Sequence, residues 1–406
     1  MSSSAQPLVE PVASIPAPTR AAALERLAAF APHGIREYAW RRNHDPEPGA
    51  ESTVSRLSPH VRHRLVLESE LVAAALHAHP GQASEKFVQE VFWRSYWKGW
   101  LELRPAVWRA YRRALDQRLD EAQREPLAST YAAACEGRTG IDCFDAWVHE
   151  LRTTGYLHNH ARMWFASIWS HTLRLPWELG ADFFLRHLLD GDAASNTLSW
   201  RWVVGLQTPG KVYLARPDNI AKYTNGRWAP RGLATEAAPI SGPATPAAGA
   251  LAPADAEPAR PAVLLLHEDD LHPESLGVSR ESIVGLCVLD SVDGRSPREV
   301  SSAVREFTGA AQQDACTRYG AAAHSTYGAA ELVERCLRDG VRSVVTSWAP
   351  VGPARDRLDE LEPVLRAEGV ALYRVRRDWD EATWPLARRG FFAFAEHIPD
   401  LLAYAR

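Results

Sequence analysis

Between Glu236 and Arg260 the chain reads EAAPISGPATPAAGALAPADAEPAR. Such a run cannot bury enough apolar area to offset its ordering entropy, and its prolines favour a semi-extended linker. The grammar differs on either side of it. From Arg56 to Gly205 apolar residues recur at helical spacing with short breaks, and no strand pattern is convincing. After the linker, short β runs at 262–267, 283–289, 341–347 and 370–375 alternate with helical patterns at 301–313, 329–339 and 355–368. That alternation implies a parallel sheet with helices on both faces. The expected divisions are a disordered leader over 1–18, a helical domain over 19–232, a linker over 233–261 and an α/β domain over 262–406.

The helical half carries unusual chemistry. Of 15 tryptophans, 12 lie before position 230, so the two halves do different work. The stretch from Thr153 to Trp202 is aromatic and apolar, yet it holds Asn159, Arg162, Asp190, Asp192 and Asn196. Polar groups sunk in a helical core are costly unless paired or bound to something, so this stretch reads as a pocket wall. Glu85–Leu103 is a helix with Trp93, Trp97 and Trp100 on one face. Glu90 and Arg94 stand four apart, which suits a helix ion pair. Ser58 before Pro59 reads as N-cap and first helical residue. The same helix start offers free N–H groups to a phosphate. Thr19–Phe30 is a short helix, Tyr38–Ser52 a polar loop, and Leu157–Leu173 a helix.

Several classes are excluded. Cys135, Cys143, Cys287, Cys316 and Cys336 are scattered, without a C-x-x-C pair or a disulfide framework, which fits a reducing, cytoplasmic setting. No signal peptide or membrane-spanning run is evident. A net charge of −4 provides no global basic field, so nucleic-acid binding would need a local patch. An EF-hand beginning at Asp190 would need Gly at its sixth place and Glu at its twelfth, where Ser195 and Arg201 stand. No H-E-x-x-H, nucleophile elbow, dinucleotide fingerprint or Walker loop occurs, so no metal is expected. What remains is a large, flat, polar-edged ligand held by carboxylates, amides, an arginine and hydroxyls in a helical domain.

The motifs SRLSP at 55–59, FVQEVFWRSYW at 87–97, GYLHNHARM at 155–163 and HLLDGDAASNTLSWRW at 187–202 resemble the FAD-binding domain of the photolyase/cryptochrome family. The resemblance spans roughly residues 30–228. It implies an all-helical FAD-binding domain, here followed by a doubly wound parallel-sheet α/β domain. It implies that Ser55, Leu57 and Ser58 hold the pyrophosphate, with Val54 and Arg56 in the same turn. Val54 stands where the family usually has Thr, a place Thr53 would have to fill. Arg162 and Asp190 would pair beside the isoalloxazine. Asp192 would lie by ribityl or ring polar atoms, and Asn196 would face flavin N5. Tyr38, Phe87, Glu90, Arg94 and Asn159 would line the cavity. Glu90, Trp93, Asn159, Met163 and Trp202 match the positions with which repair enzymes of the family hold a flipped pyrimidine dimer. Trp200 and Trp177 match the inner electron relay. The outer member has no counterpart at the expected distance before Gly137-Arg138-Thr139-Gly140, so either Tyr131, Trp164 or Trp169 serves instead or the route differs. Arg36, Arg41, Arg42, Lys98, Arg201 and Lys211 are basic groups that would meet phosphates near the mouth, or are plain surface charge.

The family places its α/β domain first, whereas here AVLLLHEDDLHPESL at 262–276 looks like the start of that domain. The order therefore reads as permuted. The expected function is light-dependent repair of cyclobutane pyrimidine dimers in ultraviolet-damaged DNA, by a deoxyribodipyrimidine photolyase. A blue-light photoreceptor with a signalling protein partner, and a dark flavoprotein, are the alternatives. No motif indicates a second, antenna chromophore.

Overall fold

The computed structural model describes residues 15–46, 52–258, 261–320, 324–326 and 328–405. Among the described residues, eleven α-helices build the first half: α1 Arg20–Arg41, α2 Ser58–Arg62, α3 Glu68–Ala78, α4 Gln82–Glu102, α5 Pro105–Glu121, α6 Leu127–Glu136, α7 Asp142–Thr154, α8 Asn159–Ser167, α9 Trp177–His187, α10 Ala193–Val203 and α11 Pro217–Tyr223. Helix α4 runs through the middle and packs against α1, α3, α5 and α10.

The second half is a five-stranded parallel sheet in the order β3-β2-β1-β4-β5. Its strands are β1 Ala262–Leu266, β2 Ile283–Leu289, β3 His324–Thr326, β4 Ser343–Ser347 and β5 Ala371–Val375. Successive β1 residues alternate between two cores. Val263 and Leu265 meet α13 (Ala329–Arg338) and α14 (Pro353–Ala367). Leu264 and Leu266 share the other core with Ala311, Ala315 and Cys316 of α12 (Ser302–Tyr319). That is the doubly wound arrangement expected from the strand–helix alternation. Short helices α15 Asp378–Thr383, α16 Phe391–Ala395 and α17 Ile398–Leu401 close the chain.

Several local expectations are corrected. Helix α1 runs on to Arg41, through Pro32, so Tyr38 is helical rather than in a loop; residues 47–51 of that loop lie outside the described residues. Of the expected leader, residues 1–14 also lie outside them, while Ile15 packs beside Leu189 and Val292. The helix after Leu157 starts at Asn159, and Ile168–Thr172 widens to a π turn. Strand β3 was not anticipated, because three polar residues carry no period. Residues 236–258 form no regular element, yet they are tied down. Ile240 N donates to Val204 O at 3.1 Å, Gly249 N to Leu103 O at 2.8 Å, and Asp255 N to Arg374 O at 3.0 Å. An apolar-poor segment can thus be held by backbone hydrogen bonds to its neighbours.

Candidate flavin site and its charged floor

The turn before α2 contains a strained residue. Arg56 has φ 57°, a region that non-glycine residues occupy at a cost of about 1–3 kcal/mol and mostly at functional sites. Ser55 Oγ accepts from Leu57 N at 3.3 Å. Ser58 is the first helical residue rather than the cap, Leu57 takes the cap position, and no side chain caps the helix. Thr53 cannot simply replace the missing threonine at Val54: it is buried, and its hydroxyl donates to His44 O at 2.8 Å.

The Asp190-Gly191-Asp192 loop joins α9 to α10. Arg162 Nη2 donates to Asp190 Oδ2 at 2.8 Å, and both guanidinium groups of Arg56 and Arg162 lie over the Tyr156 ring. Asp192 caps α10 by accepting from Ser195 N at 2.8 Å. Its other oxygen receives Lys98 Nζ at 2.9 Å and Arg94 Nη1 at 3.5 Å. Burial would raise the Asp192 carboxyl, but Lys98, Arg94 and Arg62 override it and hold the group far below the usual range. Asp192 is therefore engaged by protein groups on both oxygens. Asn196 is buried and donates to Ala181 O at 2.8 Å. The helix pair Glu90–Arg94 does not form. Glu90 instead meets Arg42 at 3.1 Å and Lys86 at 3.0 Å, while Arg94 Nε turns to Glu68 at 3.0 Å. Tyr38 packs edge-on against Phe87, ring centroids 5.2 Å apart.

Two of the expected mouth cations are not at a mouth. Lys98 is buried against Asp192, and Arg201 is buried beside Gln207. Arg41 and Arg42 are paired with Glu37 and Glu90, while Arg36 and Lys211 are exposed. Trp200 is buried edge-on to Trp169 at 6.2 Å, and Trp169 lies 6.0 Å from Tyr131. Gly180 permits this packing, since a Cβ there would stand 2.3 Å from the Trp200 ring. Trp177 sits instead beside Tyr111, at 5.6 Å.

Sequence reasoning missed the floor beneath the loop. Arg62 is buried; Nε donates to Gly191 O at 2.7 Å, Nη1 to Asp269 at 2.6 Å and Nη2 to Glu268 at 3.0 Å. Arg295 also binds Glu268. Arg64 joins Glu68, Asp270 and Asp380, and Arg377 joins Asp270. The connected network has six cations (Arg62, Arg64, Arg94, Lys98, Arg295, Arg377) and six anions (Glu68, Asp192, Glu268, Asp269, Asp270, Asp380). The HEDD run after β1 supplies three of the anions. The only hint in the sequence was the density of arginine and acid in two segments far apart along the chain.

Residues 87–225 match the family described as the FAD binding domain of DNA photolyase. That match lies wholly within the helical half, which is therefore similar to the FAD-binding domain of DNA photolyases. A deoxyribodipyrimidine photo-lyase of Thermus thermophilus is 34% identical over 234 residues, covering 55% of this chain and 53% of the relative. One from Streptomyces griseus is 35% identical over 207 residues, covering 48% and 43%. The chain thus spans about half the length of these curated photolyases. A class III photolyase structure from Agrobacterium tumefaciens superimposes with TM-score 0.43 at 24% identity, covering 51% of this chain and 43% of that one.

The photolyase-type domain is an FAD-binding domain, and its residues suit that group. Asp190 Oδ1 and Trp200 Nε1 are buried without a hydrogen-bond partner among the described residues. Buried polar atoms are rarely left so, and a ring N–H and an acceptor edge would satisfy them. No helix among the described residues is long and apolar enough to cross a membrane.

The site's acid sensitivity follows from its buried groups. Burial, then His160, Arg162 and Arg56, lower His158 to about 3; burial, then Arg186 and Arg152, do the same for His187. An unfolded histidine binds a proton near pH 6.5 and these do not, so stability falls as pH drops from about 6.5 toward 3. Asp192, Glu268 and Asp270 are depressed in the folded state because their cation partners outweigh burial. Their contribution is complete above about pH 4, the unfolded carboxylate value, and is lost below it. The urea midpoint should fall below about pH 6.5 and more steeply below about pH 4. A midpoint unchanged between about pH 7 and 5 would contradict the neutral buried histidines.

Proposed function

We propose that the protein repairs cyclobutane pyrimidine dimers in DNA under blue light. The observation that carries this is a gradient of exposure across three packed helices. Asp192 and Asn196 lie buried at the start of α10. The five dimer-facing positions keep solvent access: Glu90 and Trp93 on α4, Asn159 and Met163 on α8, and Trp202 on α10. An aromatic and amide rim over a charged floor suits a flipped base that must stack and be hydrogen-bonded. FAD, when bound and fully reduced, would supply light-driven one-electron chemistry for splitting the cyclobutane ring, with the electron returned at the end so that no net redox change results. The chain's own tasks are to hold the dimer through Glu90 and Asn159, to stack it on Trp93 and Trp202, and to keep water from the ring edge. Trp202 is itself backed by Tyr213, ring centroids 5.4 Å apart. Ser55, Leu57 and Ser58 would take the pyrophosphate, and Arg162 with Asp190 the isoalloxazine edge. The α/β half would be the domain that the family places first, joined here in the opposite order.

The aromatic run Trp200–Trp169–Tyr131 also suits the second reading, a blue-light photoreceptor in which photoreduction drives a signal. One assay separates the two. FAD-loaded, reduced protein is mixed with a dimer-containing oligonucleotide, in light and in darkness. Light-dependent loss of dimers is the expected result; photoreduction without repair would favour the receptor. Glu90→Ala should slow repair at limiting DNA about 10–100-fold, the worth of a hydrogen bond to a charged group. A variant that repairs as fast as the parent would remove Glu90 from the dimer site.

A further inference from the structure

The entry into α16, where Arg388-Arg389-Gly390 leads into the first helical residues Phe391 and Phe392, lies against the face of α4 that carries Trp93. Phe391 is buried and stacks on the Trp93 ring, centroids 3.6 Å apart and planes 9° from parallel. The backbone of the turn is fixed from beneath. Tyr96 Oη donates to Arg389 O at 2.9 Å, and Arg104 Nη2 to Arg388 O at 2.6 Å. Gly99 allows the approach, because a Cβ there would stand 2.7 Å from the Trp384 backbone. With the carbonyls turned inward, the side chains of Arg388 and Arg389 are exposed, and no ion pair engages either among the described residues. The nearest acids along the chain are Glu381 and Glu396. Phe392 is 81% exposed, the most exposed large apolar side chain described. One exposed aromatic ring and two unpaired cations thus stand side by side on a turn whose backbone is held in place.

Resting on the repair reading above, we propose that this turn is a DNA contact at the mouth of the dimer pocket. Arg388 and Arg389 meet two backbone phosphates beside the lesion. Phe392 stacks on the base left unpaired when the dimer leaves the duplex. Phe391 is a positioning residue that sets the Trp93 ring from behind. The charge suits nucleic acid: the chain as a whole carries −4, so a local unpaired basic pair is where phosphates would be drawn. Aromatic stacking on bases is tolerant of sequence, as a lesion reader needs.

The test uses full-length, FAD-loaded protein in darkness, with duplexes that carry or lack one thymine dimer, titrated over a range of salt. Arg388→Ala/Arg389→Ala should weaken both duplexes about equally, roughly 10-fold or more, and reduce the log–log salt slope by about 2. Phe392→Ala should bind undamaged DNA within about twofold of the parent and lose about 10-fold of its preference for the dimer. Flavin absorbance should be unchanged in both, because the altered side chains are exposed. Variants that match the parent on both duplexes, while the parent repairs in light, would overturn this proposal and leave the repair reading standing. A parent with no preference for the dimer and no repair would overturn the repair reading. If Arg388→Ala/Arg389→Ala still lowered the salt slope in that case, the basic half of the surface would survive. Binding of anionic lipid vesicles, and not of DNA, would overturn the whole.

Discussion

Arg62→Ala should lower the unfolding free energy by about 3–5 kcal/mol, the penalty for stranding one partner of a buried ion pair. Arg62 is 2% exposed, and its removal leaves Glu268 and Asp269 facing each other in the interior with one cation fewer. The loss is not confined to the interface between the halves. Arg62 Nε also holds Gly191 O, between Asp190 and Asp192, so the loop that would face the flavin loses its anchor. Urea denaturation of the variant reads the first effect. A double-mutant cycle with Glu268→Ala reads the coupling, which should reach about 0.5–3 kcal/mol for residues in one network. An Arg62→Ala protein with the parent's midpoint would mean that the network is slack and the two halves are joined by apolar packing alone.

Asp190→Ala should weaken FAD binding by about 10–100-fold, since a hydrogen bond to a charged group is worth about 1.5–3 kcal/mol. Two features of Asp190 set the size. Oδ2 is already used by Arg162 at 2.8 Å, and Oδ1 is buried without a partner among the described residues. The substitution thus removes the free acceptor and also unpairs Arg162 beside the Tyr156 ring. Equilibrium titration of apoprotein with FAD measures the change. Asp190→Asn, which keeps an acceptor oxygen and loses the charge, should fall between parent and alanine. An alanine variant that takes up flavin with the parent's affinity would remove Asp190 from the flavin site.

These two residues show what could be read along the chain and what could not. Asp190 stands out in the sequence because it interrupts an apolar, aromatic stretch, and a polar side chain in a core pattern demands a reason. The helical character of the first half and the alternation in the second were equally legible, since both rest on periodicities of a few residues. Arg62, Arg64, Glu268, Asp269 and Asp270 look like ordinary charged residues, and their burial arises only when β1 is laid against α2. Periodicity carries no information about partners about 200 residues away. Lys98 is the sharpest case: on its helix it reads as a surface cation, yet it is 3% exposed and bound to Asp192.

The linker and the final turn teach the same point. Composition alone marks residues 236–260 as unable to build a core, and the described part, 236–258, forms no regular element. The backbone hydrogen bonds to Val204, Leu103 and Arg374 that hold them come from elements on both sides. Likewise, the tail's aromatic residues are visible in the sequence, but nothing local says that Phe391 will cover Trp93 while Phe392 stays in water. The sequence by itself determined the helical character of the first half, four of the five strands and the flavin-type motifs, because each depends on neighbours a few residues apart. Only the tertiary structure decided which charges are neutralised in the interior and which aromatic faces stay open, because both depend on what long-range packing brings to the other side.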